Sequence, residues 1–286
     1  MNQAIDTGQV FSFSRFRTLI ALHWGGHKKL YLLSLPAMAG LLAVWYGFVL
    51  FMDKFNPLDE GIQAFTFYWG IAVVGCLYSS TIFAEFGSKA RGIAWLGVPA
   101  STLEKLLCGW FFSAVVVFVG FTLVYYVVDV PLVKIGNGLI VKQHRMYPGG
   151  FPIGQNGVWN VLKGLPNEEV DNRYHVFLLL YVTLQGLFAL GSVYFERYAF
   201  IKTMVAFMVF LLAFMVLEKQ IMAVIPPRGW VRFPPFQDWV TNSDSLRVRE
   251  VRVSTWITGP LMLLVLLGIP PVIWVITYFR IKEKEV

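Results

Sequence analysis

Apolar residues follow one another in long runs along this chain instead of alternating with polar ones. Six runs reach the roughly 20 residues that a helix needs to cross hydrocarbon. They lie near 30–52, 65–84, 106–128, 175–195, 199–217 and 256–279. The fifth is the shortest and carries Lys202 near its start, where the stem of a lysine can lie on apolar surface while its ammonium reaches the headgroups. The sixth contains Gly268-Ile269-Pro270-Pro271, which is expected to kink or split it, because proline lacks an N–H and crowds the preceding turn. The pattern predicts an all-α integral membrane protein, with residues 1–286 forming a single transmembrane domain.

The segments between the runs have their own character. Residues 11–29 mix Phe11, Phe13, Phe16, Leu19, Ile20, Leu22 and Trp24 with Arg15, Arg17, His23, His27, Lys28 and Lys29. That mixture fits an amphipathic helix lying in the membrane interface with its basic residues toward anionic headgroups. Residues 85–105 carry Glu85, Lys89, Arg91, Glu104 and Lys105 and must leave the lipid and re-enter it. Within them, Ser88 to Val98 can form a short amphipathic helix along the membrane face. Pro99, Ser101 and Glu104 then spell a helix start, with Glu104 three residues after a capping serine.

Two further segments, 129–174 and 218–255, are long. The first holds three turn signals, Gly136-Asn137-Gly138, Pro148-Gly149-Gly150 and Gly154-Gln155-Asn156-Gly157. Val158 to Leu165 after them can make a small amphipathic helix. The second holds a Pro- and aromatic-rich stretch, 225–239, and then basic residues from Leu246 to Val253 that fit helix or strand. Both read as parts of an ordered extracytoplasmic cap.

Composition agrees with a membrane protein: 57% of residues are hydrophobic and 14% charged, where a soluble domain is about a quarter charged. Mean hydropathy is +0.61. The formal charge of +7 would suggest nucleic acid in a soluble protein, but loop asymmetry accounts for it. With the N-terminus inside, segments 1–29, 85–105, 196–202 and 280–286 hold 12 Lys/Arg against 6 Asp/Glu, and the remainder 12 against 11. The short outer loop 53–64 has a single lysine against Asp53, Asp59 and Glu60. Both termini are therefore expected in the cytoplasm. The start of the chain lacks a basic region followed by an apolar core, so no cleaved signal peptide is expected.

Candidate chemistry is sparse. Gly87-Ser88-Lys89 looks like the end of a phosphate-binding loop, but the required earlier glycine is Ile82. His23 and His27 are four apart, as metal ligands on a helix would be, yet no carboxylate or cysteine is near and Gly25-Gly26 intervenes. Cys76 and Cys108 fall in or beside apolar runs and lack metal spacing. No catalytic, cofactor or metal site is expected. Charged side chains such as Glu85, Asp129, Glu196 and Lys202 fall at span ends, which argues against an ion-coupled transporter. The most polar groups at mid-span are Gln185, Thr183, Thr122 and Tyr78-Ser79-Ser80-Thr81. They read as interhelical hydrogen bonds or as the lining of a pathway for an apolar or amphipathic substrate.

The basic leader, two spans and a charged connection ending Val98-Pro99-Ala100-Ser101-Thr102-Leu103-Glu104-Lys105 resemble permease subunits of type-2 ATP-binding-cassette exporters. The likeness is greatest to the Bacteroidota-like group with an LPAS-x-LEK signature, Val98 standing where leucine is commoner. Ser79-Ser80-Thr81-Ile82-Phe83-Ala84-Glu85 also resembles that group. The resemblance implies that 11–29 is the interfacial connecting helix and that 85–105 docks on a separate ATPase subunit. Glu85, Lys89, Arg91 and Trp95 would then be contact or anchoring residues, while Ser101 and Glu104 cap the third span. It implies further that ATP and Mg belong to the partner subunit. A second copy or a paralogue would complete the pathway, and the chain would reside in a bacterial cytoplasmic (inner) membrane. The apolar, aromatic-rich interior favours lipids, hydrophobic peptides or drugs over small ions. Two other readings stand beside this one: an accessory or scaffolding membrane protein without transport, and an integral membrane enzyme acting on lipid through His144, His175 or Asp171.

Overall fold

Long apolar runs leave the backbone one way to satisfy its N–H and C=O groups away from water, and that is to coil into helices. The computed structural model describes residues 11–52, 58–83, 97–146, 156–163, 173–195, 197–224, 230–231, 250–251 and 255–285. Helix α1 spans Phe13–Met52, α2 Glu60–Ile82 and α3 Thr102–Trp110. A π-helical turn, Phe111–Val116, leads straight into α4, Val117–Met146. Helices α5 (Arg173–Tyr194), α6 (Ala199–Val224) and α7 (Thr255–Glu285) complete the order. The remaining described elements are a 3-10 turn at Val161–Lys163 and a two-residue parallel pairing of Trp230–Val231 (β1) with Glu250–Val251 (β2).

Among the described residues, five segments are long and apolar enough to cross a membrane: Phe13–Met52, Glu60–Ile82, Thr102–Lys142, Val176–Tyr194 and Ala199–Leu217. The chain is thus a multi-pass, all-helical protein, and α7, at 31 residues, is its sixth long helix.

Several boundaries differ from the sequence expectation. The leader 11–29 and the run 30–52 form one helix of 40 residues, about 60 Å long and so about twice the thickness of the hydrocarbon. Gly25-Gly26 and Pro36 lie inside it. The third run does not stop at 128, because helix continues through Pro131 and Gly136-Asn137-Gly138 to Met146. Neither glycine turns the chain there, and a Cβ at Gly136 would meet Leu50 at 3.4 Å and Leu58 at 3.5 Å, ordinary van der Waals contact. The last run is helical throughout, with Pro270-Pro271 in its interior. The expected amphipathic helix over Val158 to Leu165 is, in its described part, only the 3-10 turn.

Helix α5 is the centre of the bundle and touches α2, α6 and α7, while α2 packs on α4, and α4 on α1. Small residues set these approaches, as they do where helices meet without a hydrophobic driving force. A Cβ at Gly75 would fall 2.0 Å from Gln185 Nε2, and one at Gly186 2.9 Å from Trp274 Nε1. Gly70 accepts the ring of Phe121 in the same manner. The outer faces of α1 and α6 stay apolar and exposed, with Leu33, Val44, Phe51, Val205, Val209 and Phe210 on them. That is the surface a lipid environment covers.

The core divides into two clusters, one at each end of the bundle. Leu19 of α1, Ile82 and Phe83 at the end of α2, Cys108 and Phe112, Ala189 and Val193 of α5, and Ile281 of α7 form one. It brings the start of α1 and the end of α7 together at the same end, here termed proximal. The second cluster gathers Tyr46, Phe67, Phe121, Tyr125, Trp159 and Val161 at the distal end.

Candidate functional site

The proximal end is organised around the start of α3. Ser101 is extended, with φ −69° and ψ 155°, and its hydroxyl accepts from Glu104 N at 3.2 Å. The Glu104 carboxylate returns to accept from Ser101 N at 2.9 Å. This reciprocal box satisfies two of the donors that a helix start leaves free. Glu104 does more than cap, because it is fully buried. Its Oε1 also accepts from Ser12 N at 2.6 Å and lies 3.2 Å from the Arg15 guanidinium. A carboxylate that accepts from both helix starts ties the beginning of α1 to the beginning of α3.

Between them runs a groove of about 440 Å³, bordered by Ser14, Arg15, Thr18 and Leu22 on one side and Pro99 and Ala100 on the other. Glu85, Lys89, Arg91 and Trp95, the expected partner contacts, lie outside the described residues. So do the side chains of His144 and His175, and Asp171.

Above this corner α1 passes Phe112. His23 and Tyr31 both pack on that ring, at 4.3 and 5.7 Å between centroids, and His23 Nε2 lies 3.2 Å from the Tyr31 hydroxyl. His27 stacks on His23 at 4.5 Å and its Nδ1 meets the His23 carbonyl at 3.1 Å. The two histidines do share a helix face, as their spacing requires. Among the described residues, however, no group of three or more potential ligands is assembled for a metal.

The mid-bundle polar groups behave differently from one another. Thr122 and Thr183 donate to carbonyls of their own helices, Phe118 and Leu179, at 2.8 and 2.7 Å. Ser80 and Thr81 do likewise. Gln185 is fully buried; its Oε1 accepts from Ser79 of α2, and its Nε2, in the notch left by Gly75, has no hydrogen-bond partner among the described residues. Next to it, Tyr181 donates to the Ser113 and Ala114 carbonyls at 3.4 and 3.2 Å. The π-turn explains that contact. A wider turn swings carbonyls out of the regular ladder, and a buried carbonyl then needs a donor from elsewhere.

The distal end holds residues that the run pattern did not single out. Asp129, read as the polar end of a span, is fully buried and accepts from the Tyr46 hydroxyl at 2.7 Å. It lies 25 residues after Glu104, about 37 Å along the helix, so a hydrocarbon layer of about 30 Å fits between them. Residues 156–163 form a strap across this end. Gln63 of α2 donates to the Gly157 carbonyl at 2.9 Å and accepts from Trp159 N at 2.7 Å. Asn137 of α4 holds both backbone groups of Asn156, each at 2.9 Å. Gln63 falls in the segment 53–64 that reads as a loop, so the run pattern carries no signal for this region, although a glutamine that is fully buried must find partners.

Comparisons of the chain with protein-family models, with curated proteins and with solved structures return no match.

Proposed function

We propose that this chain is the transmembrane subunit of an ATP-driven exporter of the type-2 ATP-binding-cassette class. On this reading it forms half of a translocation pathway with a second copy or a paralogue, and it leaves nucleotide hydrolysis to a separate ATPase subunit. Six spans cross a bacterial inner membrane, and the proximal end lies in the cytoplasm. The observation that supports the reading most is the Ser12–Arg15–Ser101–Glu104 lock, in which Ser101 and Glu104 of the signature Val98 to Lys105 hold the start of α1.

The physical link is stiffness. Closure of an ATPase pair can move spans only if the surface it pushes is tied to them, since a loose loop would bend and absorb the motion. A buried charge pair and a capping box join α1 and α3 into one corner, and in the sequence the 85–96 stretch that would meet the ATPase comes just before that corner's Ser101 and Glu104. Lys/Arg enrichment of the segments at this end supports the cytoplasmic assignment.

The test is a gentle detergent purification from native membranes with mass spectrometry of what accompanies the chain. A stoichiometric soluble subunit bearing a phosphate-binding loop is the expected companion. A preparation that holds no ATPase, even after crosslinking in the membrane, removes the exporter reading and leaves a scaffold that works through other partners.

A further inference from the structure

The strap at the distal end is bound in the manner of a peptide ligand. Burial alternates up to the 3-10 turn: Val158 and Asn160 are exposed, while Trp159 and Val161 are 3% exposed each. That period of two is the signature of extended chain on a surface. Its backbone is held by side chains, at five points. Asn137 takes the N–H and C=O of Asn156, Gln63 takes the Gly157 C=O and the Trp159 N–H, and the Tyr126 hydroxyl accepts from Val161 N at 3.1 Å. The Gln63 amide, joining the carbonyl before Val158 to the N–H after it, stands in for one residue of a neighbouring strand.

The side-chain pocket is aromatic. The Trp159 indole lies 5.8 Å from the Phe67 ring and 5.4 Å from the Tyr68 ring, and Phe177 closes on Tyr68 at 4.3 Å. Main-chain hydrogen bonds that accept any sequence, with pockets for alternate side chains, are how extended peptides are recognised. The sequence on either side of the strap, Pro148-Gly149-Gly150 and Gly154 before it and Gly164 after it, is rich in the residue that least restricts the backbone.

We propose that the distal cleft between α2, α4 and α5 is a binding site for an extended peptide carrying an aromatic residue, and that residues 156–161 occupy it in cis. The tethered strap competes at the millimolar effective concentration of a short linker, so free peptide binds once the strap is displaced. The proposal does not depend on the exporter reading, because it concerns binding by this chain alone.

The experiment uses the full chain in nanodiscs and a fluorescein-labelled peptide Asn-Gly-Val-Trp-Asn-Val, with a second peptide in which alanine replaces tryptophan. Two variants free the cleft by altering the strap alone: Trp159→Ala empties the aromatic pocket, and Val161→Ala withdraws the strap's second buried side chain while leaving Gln63, Asn137 and the aromatic residues of the cleft in place. Saturable anisotropy is expected for either variant, at least tenfold tighter than for the unaltered chain and for the tryptophan-free peptide. Adding Gln63→Leu to the freed chain should abolish it. Should Trp159→Ala fail to fold, Val161→Ala decides alone. No saturable binding by a folded variant, or equal signals from both peptides, overturns the proposal.

Discussion

Arg15 and Glu104 stand 89 positions apart in the sequence and meet at 3.2 Å, with the carboxylate fully buried and the guanidinium about one-quarter exposed. The pair fixes where α1 begins relative to α3. Removing the carboxylate takes away three things together: the cap on Ser101 N, the acceptor for Ser12 N and the partner of Arg15. Glu104→Ala should therefore cost about 2–4 kcal/mol, combining a lost cap with a broken buried pair. Arg15→Ala should cost less, since Glu104 keeps two backbone donors. Urea unfolding in mixed micelles measures both. A non-additive double variant is expected because the residues touch, and additive losses would show that the pair contributes nothing of its own.

Gly75 and Gln185 fit as notch and key. A methyl group at position 75 would fall 2.0 Å from Gln185 Nε2, and with Tyr181 2.9 Å away on the same side the amide has little room to retreat. Gly75→Ala is expected to destabilise the α2–α5 contact by about 1–3 kcal/mol, as overpacking does. Shortening the key should restore it, so Gly75→Ala with Gln185→Ala should recover a monodisperse size-exclusion profile that the single variant loses. Equal behaviour of single and double variants would place the strain elsewhere.

Tyr46 and Asp129 join α1 to α4 at the distal end as the other pair does at the proximal end, with a 2.7 Å hydrogen bond from hydroxyl to carboxyl. Asp129→Asn keeps an acceptor in the same place and should melt within a few degrees of the unaltered chain. Asp129→Leu takes from the buried Tyr46 hydroxyl the acceptor it donates to and should lose about 1–3 kcal/mol. Thermal unfolding followed by tryptophan emission separates the two. If Asn and Leu are equally harmful, the carboxylate charge matters more than the acceptor.

The existence and order of the long helices are legible from apolar run length alone, because a run near 20 residues has no other economical backbone solution in lipid. Their ends are not. Composition marks where hydrocarbon stops, whereas a helix stops where its backbone finds other partners. Helix α4 thus continues past Asp129 for more than four turns, and Gly136-Asn137-Gly138 stays helical, with Asn137 binding the strap instead of turning the chain. Ser101 and Glu104 were readable as a cap because a cap is local. The partners Ser12 and Arg15 were not, since nothing in a local pattern names a residue some 90 positions away. The same holds at Gln63, whose clients Gly157 and Trp159 are nearly 100 positions later.

The two ends of the bundle must face opposite sides of the membrane if the helices cross it, and that makes the assignment testable with one reagent. Cys76 and Cys108 are buried, so a background of native thiols is low. Leu162 is 70% exposed on the distal strap, and Lys282 is exposed in the last turn of α7 at the proximal end. With the proximal end cytoplasmic, as its Lys/Arg excess predicts, Leu162→Cys should react with a membrane-impermeant maleimide in intact spheroplasts. Lys282→Cys should react only after permeabilisation. The reverse pattern would put the Arg15–Glu104 corner outside the cell, where no ATPase operates, and the exporter reading would fall while the fold and the distal cleft remained.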